Sequence, residues 1–300
     1  MKKVLFFTQN RWAFGSIHHA LCKELYKFDI YANLLDWTVE YTRKEFDLLN
    51  ETYDFFVTMP DAVLGLHYRY GVPLEKIVCV AHGQWDILLA RQQADMDFYP
   101  RLHKFAVISQ VLKDKCSEWS ISVDPVIAKL GLHFDLFYDK PSTSLNKIGY
   151  GGSNETNNFF GQEIKRPKLV EAIVSDMEGL ELVKHEFYNY MCMPAYYKSI
   201  DCIIMSSIEE AGGLPIMEAA AAGRLCMGTP VGYFEYNGNL GGGIVLPIEA
   251  NSFVANAKDA LNYYKNNSEQ YHKKCLDIQE YARYNYDWKY VIDGWIELFN

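Results

Sequence analysis

The sequence predicts an α/β protein built from two doubly wound, Rossmann-like domains with parallel sheets. Three observations predict it. Short runs rich in β-branched and aromatic residues alternate with longer helical stretches from the first residues on, the pattern of strands joined by crossover helices. The length of 300 residues exceeds what one hydrophobic core usually supports and divides naturally into two domains of about 150. The polar, proline-containing stretch Asp139-Lys-Pro-Ser-Thr-Ser-Leu-Asn146 reads as a linker near the midpoint, and a strand begins again after it. The expected domains are therefore 1–140 and 146–285, followed by a helix over 286–300.

Residues 3–8 form the first expected strand, too short an apolar run for a signal peptide. Gln9-Asn-Arg-Trp-Ala-Phe-Gly-Ser16 reads as a loop, and 17–28 as a helix whose Ile17, Leu21 and Leu25 share one face. Strands follow at 53–59, 76–81 and 104–109, then, past the linker, at 147–151, 180–185, 201–206, 224–228 and 243–247, with a helix near 168–174. The last fifty residues read as helical, with Trp288, Val291, Ile292, Trp295, Ile296 and Phe299 on a buried face.

Apolar residues make up 49% and charged residues 22%, the composition of an ordinary folded protein. The formal charge of −9 argues against a broad surface for nucleic acid or anionic lipid. No run approaches the roughly 18 apolar residues of a membrane span, so a cytoplasmic location is expected. Seven cysteines without paired C-x-x-C spacing suit reduced core thiols, with neither disulfides nor zinc.

The most informative segment spans residues 201–223. Asp201-Cys-Ile-Ile-Met-Ser206 reads as a strand buried on both faces. Pro215 suits the first position of a helix over 215–222, and Gly223 the left-handed position just past its end. Gly212 and Gly213 leave the amides of the first turn uncovered, and with the helix dipole these favour a phosphate. Glu210 before the helix and Glu218 one turn inside it can present carboxylates to sugar hydroxyls, so the whole suits a nucleotide sugar. The competing reading is an ordinary α/β connection with two solvated glutamates.

Glu210-Ala-Gly-Gly-Leu-Pro-Ile-Met-Glu218, followed by Ala219 and Gly223, closely resembles the signature of the retaining GT-B glycosyltransferases of family four: glutamate, seven residues, glutamate. Asn146-Lys-Ile-Gly-Tyr-Gly-Gly152 resembles the first strand of that family's donor domain, Tyr196-Tyr197 with Asp201 the segment before the signature strand, and Thr229-Pro-Val-Gly232 the loop after it. The resemblance implies a GT-B fold, two Rossmann-like domains facing a cleft, with the last helix crossing back to the first. It implies metal-independent transfer of a sugar from a nucleotide-sugar donor to a glycan or other hydroxyl acceptor, with retention of configuration and no bound cofactor. It assigns Glu218 to the ribose hydroxyls, Glu210 to the donor sugar, and the turn of Gly212, Gly213 and Leu214 to sugar and phosphate. Membrane contact is expected only through a lipid-linked acceptor.

Other candidates carry alternatives. His82, in Val80-Ala-His-Gly-Gln-Trp-Asp86, follows a strand and resembles the histidine that the family turns toward the donor sugar; Asp86 can orient an acceptor or the histidine. Gly15 would let an acceptor or phosphate approach the backbone, or serve the turn alone. Lys165 and Arg166 are the nearest cations for the diphosphate, or a solvated cluster at a helix start. Asp95-Met-Asp97 carries the acidic pair that binds metal in the other large glycosyltransferase fold, without supporting context. Ser206-Ser207 lacks a hydrolase elbow, His18-His19 lacks a third metal ligand, and Gly241-Gly-Gly243 lacks the context of a dinucleotide fingerprint. A sugar-nucleotide epimerase and a non-catalytic glycan- or nucleotide-binding protein are the alternative functions. Donor base, sugar, acceptor, linkage and oligomeric state depend on contacts that no motif reports.

Overall fold

A computed structural model describes residues 1–9, 12–93, 98–152, 158–159, 162–185, 190–210, 212–232 and 242–300; for 12–14, 89–93, 158–159, 162 and 190 it gives the backbone alone. Asp95, Asp97 and Gly241 lie outside the described residues. The chain divides into two compact units, Met1–Gly131 with Trp288–Asn300, and Leu132–Asp287.

The first unit runs β1 (Lys2–Thr8), α1 (Trp12–Tyr26), β2 (Ile30–Asp36), α2 (Arg43–Thr52), β3 (Phe55–Thr58), α3 (Pro60–Leu64), β4 (Ile77–Ala81), α4 (Gln84–Gln93), β5 (Lys104–Val107), α5 (Gln110–Glu118) and β6 (Val126–Ile127). Its six strands lie in the order β2-β1-β3-β4-β5-β6, all parallel. β4 is buried along its whole length, which is why Ile-Val-Cys-Val-Ala carries no polar alternation. α2 starts at a reciprocal cap in which the Glu45 amide donates to Thr42 Oγ1 and the Thr42 amide to Glu45 Oε2. α1 begins at Trp12, so Gly15 is not in a loop before the helix but buried in its first turn. A lone glycine does not stop the helix, because it costs only about 1 kcal/mol relative to alanine.

Trp288–Asn300 completes this unit through α12 (Trp288–Val291) and α13 (Asp293–Glu297), numbered after the second unit's helices. Trp288 packs so closely on Gly131 that a Cβ there would lie 2.5 Å from the indole. Trp295 Nε1 donates to the Lys129 carbonyl at 2.8 Å, its ring lies against Phe6, and Phe299 lies against Phe55.

The second unit holds α6 (Phe134–Phe137), β7 (Lys147–Tyr150), the short pair β8 (Asn158–Phe159) and β9 (Gln162–Glu163), α7 (Pro167–Ser175), β10 (Glu181–Val183), α8 (Met193–Ser199), β11 (Cys202–Met205), α9 (Leu214–Ala221), β12 (Leu225–Gly228), β13 (Ile244–Val245), α10 (Ala250–Asn266) and α11 (Ser268–Tyr286). Its five-stranded parallel sheet has the order β10-β7-β11-β12-β13. The chain leaves β7 to one side for β10 and returns on the other for β11. Loops diverge at such a reversal, and ligands bind outside the carboxyl ends of the two strands. No described helix is long and apolar enough to cross a membrane, and all seven cysteines are free thiols.

The stretch 139–146, which reads as a linker in the sequence, is fastened inside the second unit. Asp201 accepts from Ser142 Oγ at 2.8 Å and from the amides of Asn146 and Lys147 at 3.0 and 2.9 Å. Arg224, buried at the start of β12, donates to the Tyr197 and Lys140 carbonyls and pairs with Asp139. Gln279 of α11 bridges the Asp139 and Ala221 carbonyls. Gly223 closes α9 with φ +71°, the left-handed conformation its sequence position predicts.

A Cβ at Gly223 would stand 2.8 Å from Pro141 Cα and 2.9 Å from Gln279 Nε2, and it would be strained in this backbone conformation. Gly223→Ala is expected to lower unfolding free energy by at least about 2 kcal/mol, read as an earlier urea midpoint with unchanged slope.

Candidate functional site

At the carboxyl ends of β7 and β11 the chain brings Lys165, Arg166, Glu210 and Gly212 together. Met205 ends β11, and the next two residues, Ser206 and Ser207, are wholly buried. Lys165 Nζ forms an ion pair with Glu210 Oε1, their side chains 21% and 15% exposed, and Ser207 Oγ donates to the same oxygen at 2.7 Å. A pair this shielded is stronger than a surface pair, and removing either partner leaves a costly uncompensated charge. Arg166 is used differently. It takes a left-handed conformation, φ 50°, to start α7, and its Nε and Nη1 donate to the Ser206 and Ile248 carbonyls, both at 2.6 Å, with the guanidinium over Phe253. Of the two cations the sequence leaves as alternatives, Lys165 thus faces a carboxylate and Arg166 braces backbone.

The floor of this site is backbone held by side chains. Tyr150 OH donates to the Lys165 carbonyl at 2.7 Å, and His185 Nε2 lies 3.1 Å from the Gly152 carbonyl. The loop 229–232 closes in from β12: a Cβ at Gly232 would lie 2.9 Å from the Gly212 carbonyl and 3.2 Å from Glu210 Cβ. Thr229 anchors that loop by donating from Oγ1 to the Ser207 carbonyl.

α9 starts one residue before the expected Pro215, at Leu214, with Gly213 as its cap at φ +80°. Proline at the second position costs nothing, since the amides of a first turn have no partner within the helix. The structure treats the two glutamates unlike. Glu210 sits at the open end of the strand, whereas Glu218 is only 5% exposed, on a helix face where Ile216 to Ala221 are all buried. Burial pushes the Glu218 carboxyl up to about 8, against a smaller opposing effect of its hydrogen bond with Tyr197. The group is therefore protonated at neutral pH, hydrogen-bonded within the protein and not a solvated surface carboxylate.

In the first unit His82 directly follows β4 and is 4% exposed. Asp86 Oδ2 accepts from the His82 and Gly83 amides at 3.0 and 2.9 Å, so it caps the start of α4 and fixes the histidine backbone. Desolvation lowers His82 to about 4, and it lowers His18, whose ring meets His82 edge-on at 5.8 Å, well below its ordinary value. Both imidazoles are therefore neutral at pH 7. Among the described residues no group of three or more His, Cys, Asp or Glu is placed to hold a metal ion. Sequence reasoning gave Tyr150, Tyr197 and the Ser206–Ser207 pair no role at the site; two small hydroxyls directly after an apolar strand were the available sign.

A raised carboxyl makes the folded state bind more protons than the unfolded chain between its ordinary value of 4.5 and about 8. Stability contributed by Glu218 is thus full below this window and is lost as pH rises through it, by on the order of 4 kcal/mol. Glu218→Gln keeps the shape without the titration. Its urea midpoint is expected to lack this decline between pH 5 and 8.5, leaving the variant more stable than the unaltered protein at the upper end.

Residues 158–263, all within the second unit, match the family described as Glycosyl transferases group 1. A comparison with curated proteins gives no match. Among solved structures, HepE from Anabaena in complex with UDP and glucose is similar over 100% of this chain and 99% of its own, at TM-score 0.71 and 11% identity. Sucrose-phosphate synthase from Thermosynechococcus elongatus is similar over 100% and 98%, at TM-score 0.70 and 11% identity. A glycosyltransferase from Rickettsia africae is similar over 99% and 98%, at TM-score 0.67 and 15% identity. The fold, two parallel-sheet α/β units, is that of the GT-B glycosyltransferases, and the segment that matches the group 1 glycosyl transferase family lies in its second unit.

Proposed function

We propose that this protein is a nucleotide-sugar glycosyltransferase that transfers with retention of configuration and without a metal. The observation that carries the reading is the coincidence of the family match over residues 158–263 with the place where Lys165, Glu210 and the Gly213-capped helix gather at the strand reversal of the second sheet. The donor would be held there and the acceptor by the first unit. HepE is a UDP-glucose binder by its own complexes, which makes a UDP-sugar the first donor to try.

In the proposed step the bond from sugar C1 to the diphosphate oxygen breaks, the acceptor oxygen bonds to C1 on the same face, and the acceptor's proton passes to the departing diphosphate. Lys165 stabilises the charge that grows on the leaving group, a fixed cation serving where a metal otherwise would. Arg166 keeps the turn beneath it in place. Glu210 accepts from donor-sugar hydroxyls through the carboxylate oxygen that Lys165 and Ser207 leave available. The amides of Gly212, Gly213 and Leu214 meet sugar and phosphate. Glu218 accepts from ribose hydroxyls, and His82, neutral, hydrogen-bonds the sugar near C1. Gly15 and Asp86 belong to the acceptor unit, Asp86 through the backbone of His82.

Each charge-assisted hydrogen bond lost costs about 1.5–3 kcal/mol, so Glu210→Ala and Glu218→Ala are expected to lower kcat/KM by roughly tenfold to 100-fold. Folded variants that transfer sugar at full rate would refute the assignment. Product analysis also decides the reaction class: an isomerised donor marks an epimerase, and tight donor binding without turnover over a panel of acceptors marks a binding protein.

Ribose hydroxyls donating to Glu218 would favour its ionised form, so nucleotide binding at pH 7 is expected to release a proton. Calorimetry in two buffers of different ionisation enthalpy measures it, and Glu218→Gln abolishes it.

A further inference from the structure

Ser206 and Ser207 directly follow β11, and their hydroxyls have different partners. Both are wholly buried. Ser206 Oγ lies 2.8 Å from the Lys165 carbonyl and 2.9 Å from the Arg166 carbonyl, while its own carbonyl accepts from Arg166 Nε. One residue further the Ile208 amide donates to the Ile164 carbonyl at 2.9 Å, so the segments 164–166 and 206–208 are stitched at three successive points. Ser207 gives its hydroxyl to Glu210 Oε1 at 2.7 Å, the oxygen that also takes Lys165.

We infer that Ser206 and Ser207 are positioning residues that separately set the two arms of the donor site, Ser206 the backbone that carries the Lys165 cation and Ser207 the Glu210 carboxylate. A hydroxyl that only filled its own hydrogen-bonding need would end on a backbone carbonyl, as Ser199 and Ser175 do. Ser207 instead spends its proton on a carboxylate at the open end of the strand. With Lys165 it engages Oε1, so Oε2 of Glu210 is the oxygen left for a ligand. The cation on one arm suits an anionic leaving group, and the carboxylate on the other suits hydroxyls, so each serine governs a different part of the ligand. This assignment rests on the nucleotide-sugar reading above.

The test is a comparison of ligand pairs by calorimetry: UDP with UDP-glucose, ADP with ADP-glucose, and GDP with GDP-mannose. For the pair that the unaltered protein binds, Ser207→Ala is expected to weaken the nucleotide sugar about tenfold and leave the nucleoside diphosphate within about twofold. Ser206→Ala is expected to weaken both members alike, again by about tenfold. In a Glu210→Ala background, adding Ser207→Ala should cost nothing more, because the hydroxyl then has no carboxylate to hold. Ser207→Thr, which keeps the hydroxyl, should restore the sugar-dependent affinity, and if the added methyl prevents folding, the double-variant comparison decides alone. Equal losses for both ligands in Ser207→Ala, no loss at all, or a further loss without Glu210 would overturn the assignment while leaving the glycosyltransferase reading intact. Failure of the unaltered protein to bind any of the three pairs would overturn both.

Discussion

The parting of the chain on either side of β7 is the constraint on which the second unit depends. With β10 on one flank and β11 on the other, the connections after β7 and β11 cannot cover one another, and backbone groups at the carboxyl ends of these strands stay open. Most special features of the unit answer to that opening. Arg166 and Gly213 adopt left-handed conformations to start helices beside it, Gly232 admits the loop from β12, and Tyr150, Ser206 and His185 hold the carbonyls that would otherwise lack partners. The Lys165–Glu210 pair closes the arrangement electrostatically: each charge is shielded enough to need the other.

The legible parts of the sequence were those whose cause is local. β1, β4, β7 and β11 are short apolar runs between turn residues, and Gly223 stands where only a left-handed residue fits, so their positions follow from residue type alone. The whole of α9 and its glycine cap were visible for that reason, one residue of boundary apart. What failed had causes remote in sequence. β2 reads as Ile-Tyr-Ala-Asn-Leu-Leu-Asp because it is the half-exposed edge of its sheet, with no clean period to find. The stretch 139–146 reads as a linker because it is polar, yet its polar groups are partners for Asp201, Arg224 and Gln279, which lie 55 or more residues away. At the site the motif presents two glutamates of the same chemistry, and burial on α9 distinguishes the protonated Glu218 from the ion-paired Glu210.

Burial also gives the two units opposite sensitivities to pH. His18 and His82 are held neutral in the first unit, so their contribution is present above the ordinary histidine range and is lost as pH falls toward about 4. Glu218 acts in the second unit in the reverse sense. In each case the cost is that of holding a titratable group in a core, where its charged form is disfavoured.

The return of Trp288–Asn300 to the first unit makes the second unit an uninterrupted insert within the first. Residues 132–287 form one continuous segment, whereas the first unit is assembled from two separated ones. The surfaces of Phe6, Phe55 and Gly131 are covered by Trp295, Phe299 and Trp288, which follow the whole second unit in the chain. Completing the first unit therefore closes a loop that spans all of the second, at an entropic cost that grows only slowly with the length of the insert.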